Sequence, residues 1–244
     1  MVSARTAGDR AAFVVPLLRN GARLLDVGCG PGSITLGLAR SVGPDGSVVG
    51  IDIQLSQVDM ARRAAATSGI TNAIFQEADA KELPFDAASF DLVFSHALFE
   101  HLSAPCEVLA EMARVLRPHG VLAICSSDWS RARIEPDSPD VLCALRAHFA
   151  LRRRAGGDPF AGGRLPEWIS AAGFSVEHVG AEDRVDMSYP ELATYVGARI
   201  QHALSEMDGR DPLLEEASMA AQRWASSGTL GTATQRWVHA IARR

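Results

Sequence analysis

Residues 24–39, LLDVGCGPGSITLGLA, constrain this chain more than any other stretch. An apolar run containing Leu24, Leu25 and Val27 ends in Gly28-Cys29-Gly30-Pro31-Gly32, and a helix-patterned segment follows at once. That is the layout of a strand, a tight glycine turn and a helix N-terminus. Glycines let the backbone take positive φ and let a ligand come close, because no Cβ obstructs either. Amides opening the next helix then face whatever occupies the turn, where the helix dipole favours negative charge.

The first half of the chain repeats this alternation. Strands are expected at 48–53 (VVGIDI), 73–78, 90–95 (FDLVFS) and 121–126, with helices at 55–67 and 104–116, the latter stopped by Pro118 and Gly120. Such near-continuous apolar strands belong to a parallel sheet covered on both faces. Right-handed crossovers then leave a doubly wound sheet as the leading architecture. Further on, a helix at 165–172 closes at Gly173 before a sixth strand at 174–179. Helices at 189–207 and 213–225 precede a final strand at 236–242. The expected fold is α/β: a doubly wound, mostly parallel, seven-stranded Rossmann-like sheet with helices on both faces.

Four segments follow from this reading. Residues 1–20 are a lead-in whose helix, over 9–19, is limited by Pro16. Residues 21–127 form the core, and 166–244 complete the sheet and add helical cover. Between them, residues 128–165 break the alternation with DWSRARIEPDSPD, a helix at 141–154 and the Gly/Pro-rich loop GGDPFAGGR. They read as a helical lid insertion over the substrate.

Ligands of such sheets bind at the carboxyl ends of the strands. Those ends are Gly28, Asp52, Asp79, Ser95 and Ser126, a rim in which polar and special residues recur. Asp52 follows the glycine turn at roughly the 20-residue distance where a ribose-binding carboxylate is expected. An acceptor-only group suits a ribose diol; an aspartate there would also suit a helix N-cap. A dinucleotide would want its third glycine at position 33, which is Ser33 here, with Gly32 one residue earlier. That spacing counts against a nicotinamide dinucleotide.

Five blocks in order carry a family resemblance: DVGCGPG, Asp52 after VVGID, EADAKELPF, FDLVFSHALFEHL and RVLRPHGVLAI. Together they resemble the class I S-adenosylmethionine-dependent methyltransferases, and most closely the small-molecule branch with the ubiquinone and menaquinone biosynthesis enzymes. They cover residues 23–127, and GGRLPEWISAAGF and the final RWVHAIARR resemble that branch more loosely. The resemblance implies that Asp26, Gly28, Gly30 and Gly32 line the methionine moiety of S-adenosylmethionine. It implies Asp52 on the ribose diol, Ile53 against the adenine face, Asp79 and the Ala80 amide on the adenine edge, and Ser95 and His96 near the transferring methyl.

Methyl transfer from a sulfonium releases a neutral leaving group, so holding nucleophile and methyl in line supplies most of the rate. An acceptor of high pKa still gains from a positioned base. His96 and His101 are the candidates, with Glu100 or Asp128 behind them; His101 could equally cap the following helix or bond within its loop. Trp129, Phe149, Phe160 and Trp168 suit either an apolar acceptor pocket or packing within the lid, and Arg164 either faces the site or anchors its loop.

Composition narrows the partners. A net charge of −5 gives no field to draw in nucleic acid, and Arg152-Arg153-Arg154 reads as a solvated helix face. Cys29, Cys106, Cys125 and Cys143 have no paired spacing that would signal zinc or a redox motif, so no metal is expected. No apolar run approaches the ~18 residues of a membrane span. The expectation is a cytoplasmic monomer or homodimer that methylates a small, aromatic or apolar molecule. The alternatives are a dehydrogenase of similar topology, and a non-catalytic protein that keeps the cofactor pocket.

Overall fold

The computed structural model describes residues 6–244. Its seven strands are β1 (Arg23–Val27), β2 (Ser47–Asp52), β3 (Ala73–Glu77), β4 (Phe90–His96), β5 (Leu116–Glu135), β6 (Ser175–Arg184) and β7 (Thr232–Arg243). They form one sheet in the order β3-β2-β1-β4-β5-β7-β6. The first five are parallel, while β7 runs antiparallel to both β5 and β6. The order reverses between β1 and β4, the switch point where ligands of such sheets bind.

Helices cover both faces, as the apolar strands require. On one face α4 (Pro105–Val115) and α6 (Ala161–Ala171) bring Leu109, Met112, Leu165 and Ile169 onto Leu25, Val93 and Leu122. On the other, α2 (Ser33–Ser41) sets Ile34 and Leu38 on Leu24 and Phe94, and α3 (Leu55–Ser68) sets Val58 and Ala61 on Phe75. Three more helices, α5 (Pro139–Arg154), α7 (Tyr189–Ser205) and α8 (Pro212–Ser226), share a separate core around Leu192, Val196 and Trp224.

The lead-in is broken where one helix was expected. It holds a short α1 (Ala7–Arg10) and a 3₁₀ turn at Val15–Leu17 with Pro16 inside it. Residues 1–5 of that segment lie outside the described residues.

Two local expectations are corrected. The stretch 128–135 does not leave the sheet: it prolongs β5, which resumes pairing with β7 at Arg133 after a register shift beyond Asp128. The irregular stretch between hides the strand pattern from a period-2 reading. Likewise the second glycine pair of GGDPFAGGR belongs to a helix, α6, and not to a loop. Gly162 sits so close to β5 that a Cβ would lie 2.6 Å from the Ser126 carbonyl oxygen. Here glycine serves close packing, and the same residue type in sequence reads as flexibility.

Candidate functional site

At the switch point the glycine turn leaves β1 with Gly28, Gly30 and Gly32 at φ of 77°, 52° and 79°. The Gly28 and Cys29 amides both donate to the Ile51 carbonyl, which ties the turn to β2. Gly32 faces away from the opening: a Cβ there would meet Ala61 and Phe75 within 2.9 Å. It therefore lets α2 close onto α3 and β3.

Asp52, at the end of β2, accepts the Gly30 amide on one carboxylate oxygen (2.9 Å) and the Gln54 amide on the other (3.0 Å). A carboxylate has about four lone-pair sites, so two remain for a ligand. The neighbouring Ile53 side chain is 64% exposed, an apolar face with nothing over it. Both residues border a cavity of about 710 Å³ that also touches Asp26, the glycine turn and His96.

Asp26 lies under the turn, almost fully buried, and accepts the Thr35 hydroxyl at 2.6 Å. Burial pushes its pKa up to about 7, against the lowering effect of the Thr35 hydrogen bond and with help from the nearby Asp52 charge. A carboxyl so perturbed by burial at the edge of a cleft marks a candidate functional site.

Ser95 and the Asp79-Ala80 pair stand apart from this cavity. The Ser95 hydroxyl is buried and donates to the Val27 carbonyl at 2.9 Å, bracing β4 against β1. Asp79 follows β3, on the far side of β2 from the turn, and accepts the Lys81 amide at 2.9 Å. Cys29, Pro31, Gln57 and Leu98 do border the cavity, and only their place in or beside the motif blocks signals them in sequence.

A second cavity, of about 160 Å³, opens beyond β4 and shares Ala97 and His101 of its lining with the first. Four planar rings line it, Trp129, His148, Tyr195 and Trp237, among charged and polar side chains. Trp129 was expected there; Phe149 packs behind it at 5.7 Å and Phe160 behind Phe149 at 5.8 Å. Trp168 lies in the core against α4, with the Arg164 guanidinium over its ring at 4.9 Å and Arg164 bridging to Asp158. Asp128 turns its carboxylate to the Ser130 amide.

The charged groups of the second cavity are individually held. Glu100 accepts the hydroxyls of Ser126 and Ser127. Asp186 receives both terminal nitrogens of Arg10 (2.5 and 3.2 Å) and the Trp237 indole N–H (2.9 Å). Burial, with Arg152 and Arg199 nearby, pushes His148 down to about 4. His101 meets Arg152, whose terminal nitrogen lies 2.9 Å from Nε2. The basic run thus fans out, with Arg153 over the Phe160 ring and Arg154 paired to Asp211.

Sequence comparison accounts for this layout. A methyltransferase-domain family model matches residues 18–154. The chain belongs to the methyltransferase family. It is similar to the nocamycin O-methyltransferase of Saccharothrix syringae, with 32% identity over 88% of this chain and 83% of that one. Among solved structures, a SAM-dependent methyltransferase from Aquifex aeolicus superposes with a TM-score of 0.53 and 25% identity, over 66% of this chain and 77% of the other. Haemonchus contortus phosphoethanolamine N-methyltransferase 2, in complex with S-adenosylhomocysteine, shares the fold at a TM-score of 0.61 and 17% identity, covering 96% of this chain and 52% of that one. The protein is an S-adenosylmethionine-dependent methyltransferase acting on a small molecule. Neither alternative, dehydrogenase or non-catalytic binder, finds support among these relatives. No helix among the described residues is long and apolar enough to cross a membrane.

Proposed function

We propose that the larger cavity holds S-adenosylmethionine, that the smaller one receives the acceptor, and that the methyl passes between them beside Ala97 and His101. That both cavities are lined by Ala97 and His101 is the observation that carries this reading. S-adenosylmethionine supplies an electrophilic methyl on a sulfonium, whose departure as a neutral thioether needs no acid.

The chain's own groups match the donor part by part. The open lone pairs of Asp52 suit a diol, the bare face of Ile53 suits a flat base, and the Asp26 carboxyl suits the cationic tail. Gly28 and Gly30 keep the turn free of side chains on the cavity side. Asp79 and the Ala80 amide would serve the edge of the base only from outside the present cavity wall. His101 borders both cavities and is the favoured base; His96 holds the wall between them, and Ser95 acts by bracing β4.

Within residues 128–165 it is α5 that, with α7 and α8, forms the cover over the acceptor. The four unpaired thiols suit a reducing cytoplasm. The test is isothermal calorimetry with S-adenosylhomocysteine and NADH, followed by transfer of labelled methyl to an acceptor panel. Micromolar S-adenosylhomocysteine binding that competes with donor supports the reading; NADH binding in its place overturns it.

A further inference from the structure

Three charged side chains border the acceptor cavity: Glu100, Asp186 and Arg152. Both carboxylates are answered from within the protein. Glu100 takes two serine hydroxyls, and Asp186 takes Arg10 and the Trp237 indole. Arg152 differs. No carboxylate of the described residues lies within 4.0 Å of it, and its side chain hydrogen-bonds to the His101 ring. A guanidinium only donates, so the His101 nitrogen it reaches is an accepting one.

His148 adds no charge to this wall near neutral pH, because its pKa is pushed down to about 4. A half-buried cation beside a histidine, facing a cavity of planar rings, calls for an anion on a flat molecule. An ammonium acceptor would meet Arg152 as a like charge. At about 160 Å³ the cavity matches the roughly 150 Å³ that houses one benzene ring, so one ring or the edge of a larger molecule enters.

Resting on the assignment of this cavity to the acceptor, we infer that the substrate is a planar compound with an acidic hydroxyl, a phenol or enol, and that Arg152 selects and holds its oxyanion. As Arg152 turns from the His101 nitrogen to the substrate oxygen, that nitrogen takes the hydroxyl proton and passes it on to solvent. An oxygen lone pair forms the O–CH₃ bond as the S–CH₃ bond of the donor breaks. The sulfonium becomes a neutral thioether and the oxyanion a neutral ether, so the positive charge leaves as the released proton.

The experiment uses paired probes, 4-nitrophenol against 4-nitroaniline and 1-naphthol against 1-naphthylamine, on the full chain. S-adenosylhomocysteine is present for binding, and labelled S-adenosylmethionine for transfer. Wild type should take the hydroxyl member of each pair, bind 4-nitrophenol as its yellow anion at a pH where it is part neutral in buffer, and label oxygen. Arg152→Met should lose tenfold or more in hydroxyl-probe affinity, the worth of a charge-assisted bond. Arg152→Lys should retain part of it, and both should keep S-adenosylhomocysteine affinity within about threefold. Preference for the amines, indifference to Arg152→Met, or no hydroxyl probe bound while S-adenosylhomocysteine binds would overturn the inference alone. Failure to bind S-adenosylhomocysteine would instead overturn the reading of the donor cavity.

Discussion

The His96 imidazole lies nearly flat on the Trp237 indole, with centroids 4.9 Å apart and an interplanar angle of 18°. His96 borders the larger cavity and Trp237 the smaller, so one stacked pair links their linings. The indole is fixed in turn by Asp186, and Asp186 by Arg10 of α1, with both partners of that ion pair under a tenth exposed. Asp186→Ala would leave the buried Arg10 guanidinium with only the half-exposed Asp9, 2.8 Å from its Nε, and should cost up to about 3–5 kcal/mol in urea unfolding. Arg10→Met with Asp186→Leu should recover most of that loss, because a buried pair replaced whole is often neutral. A double variant as unstable as Asp186→Ala would show that the Trp237 bond to Asp186 dominates.

Asp52 joins the glycine turn to β2 and retains lone pairs for a ligand. Removing its carboxylate as Asp52→Ala should weaken S-adenosylhomocysteine binding tenfold or more, as loss of hydrogen bonds to a charged group worth about 1.5–3 kcal/mol implies. Calorimetry decides it. Unchanged affinity would leave Asp52 with the turn alone.

Gly162→Ala pushes a methyl against the Ser126 carbonyl and should destabilise by about 1–3 kcal/mol. Gly8→Ala in α1 meets nothing within 4 Å and has an ordinary helical role. It should be neutral or stabilising by up to about 1 kcal/mol. Thermal melts of the pair separate close packing from mere helix propensity.

His148 is held neutral in the fold, well below its ordinary value of 6.5. The unfolded chain therefore binds a proton first as pH falls, and stability present above about 6.5 is lost progressively toward about 4. His148→Gln should flatten that acidic limb of a Tm-against-pH curve. A limb identical to wild type would assign the acid loss to other groups.

The core of the fold was legible because strand apolarity and glycine punctuation are local signals, and residues 24–126 carry them without interruption. The place of Asp26, Asp52 and Ile53 at the edge of the larger cavity was legible for the same reason, since each stands at a fixed position beside a strand end. Asp186, Tyr195 and Trp237 were not. They reach the smaller cavity from α7 and its approach and from β7, with Arg10 of α1 holding Asp186 from behind, and only the closed sheet brings them together. The run Arg152-Arg153-Arg154 reads as one solvated face, and Arg153 and Arg154 are exposed as that reading expects; that the half-buried Arg152 also borders the smaller cavity has no local signal. Ser95 shows the opposite case, a residue at a motif position whose hydroxyl is spent on the neighbouring strand.

Asp26 ties donor binding to pH. Its folded pKa of about 7 lies above its ordinary 3.8, so the folded chain holds the proton more tightly. The stability this supplies is full below about 3.8 and is lost as pH rises through about 7. Asp26→Asn, which can still accept the Thr35 hydroxyl, should therefore gain Tm relative to wild type between pH 5 and pH 8. Donor binding runs the other way. The cationic donor favours the ionised carboxylate, so S-adenosylmethionine affinity should climb with pH up to about 7 and then level off. Binding near pH 6.5 should release protons, seen as a dependence of the calorimetric heat on buffer ionisation enthalpy. The slope and the proton release should both vanish in Asp26→Asn, and if they persist there, another group near the glycine turn carries the coupling.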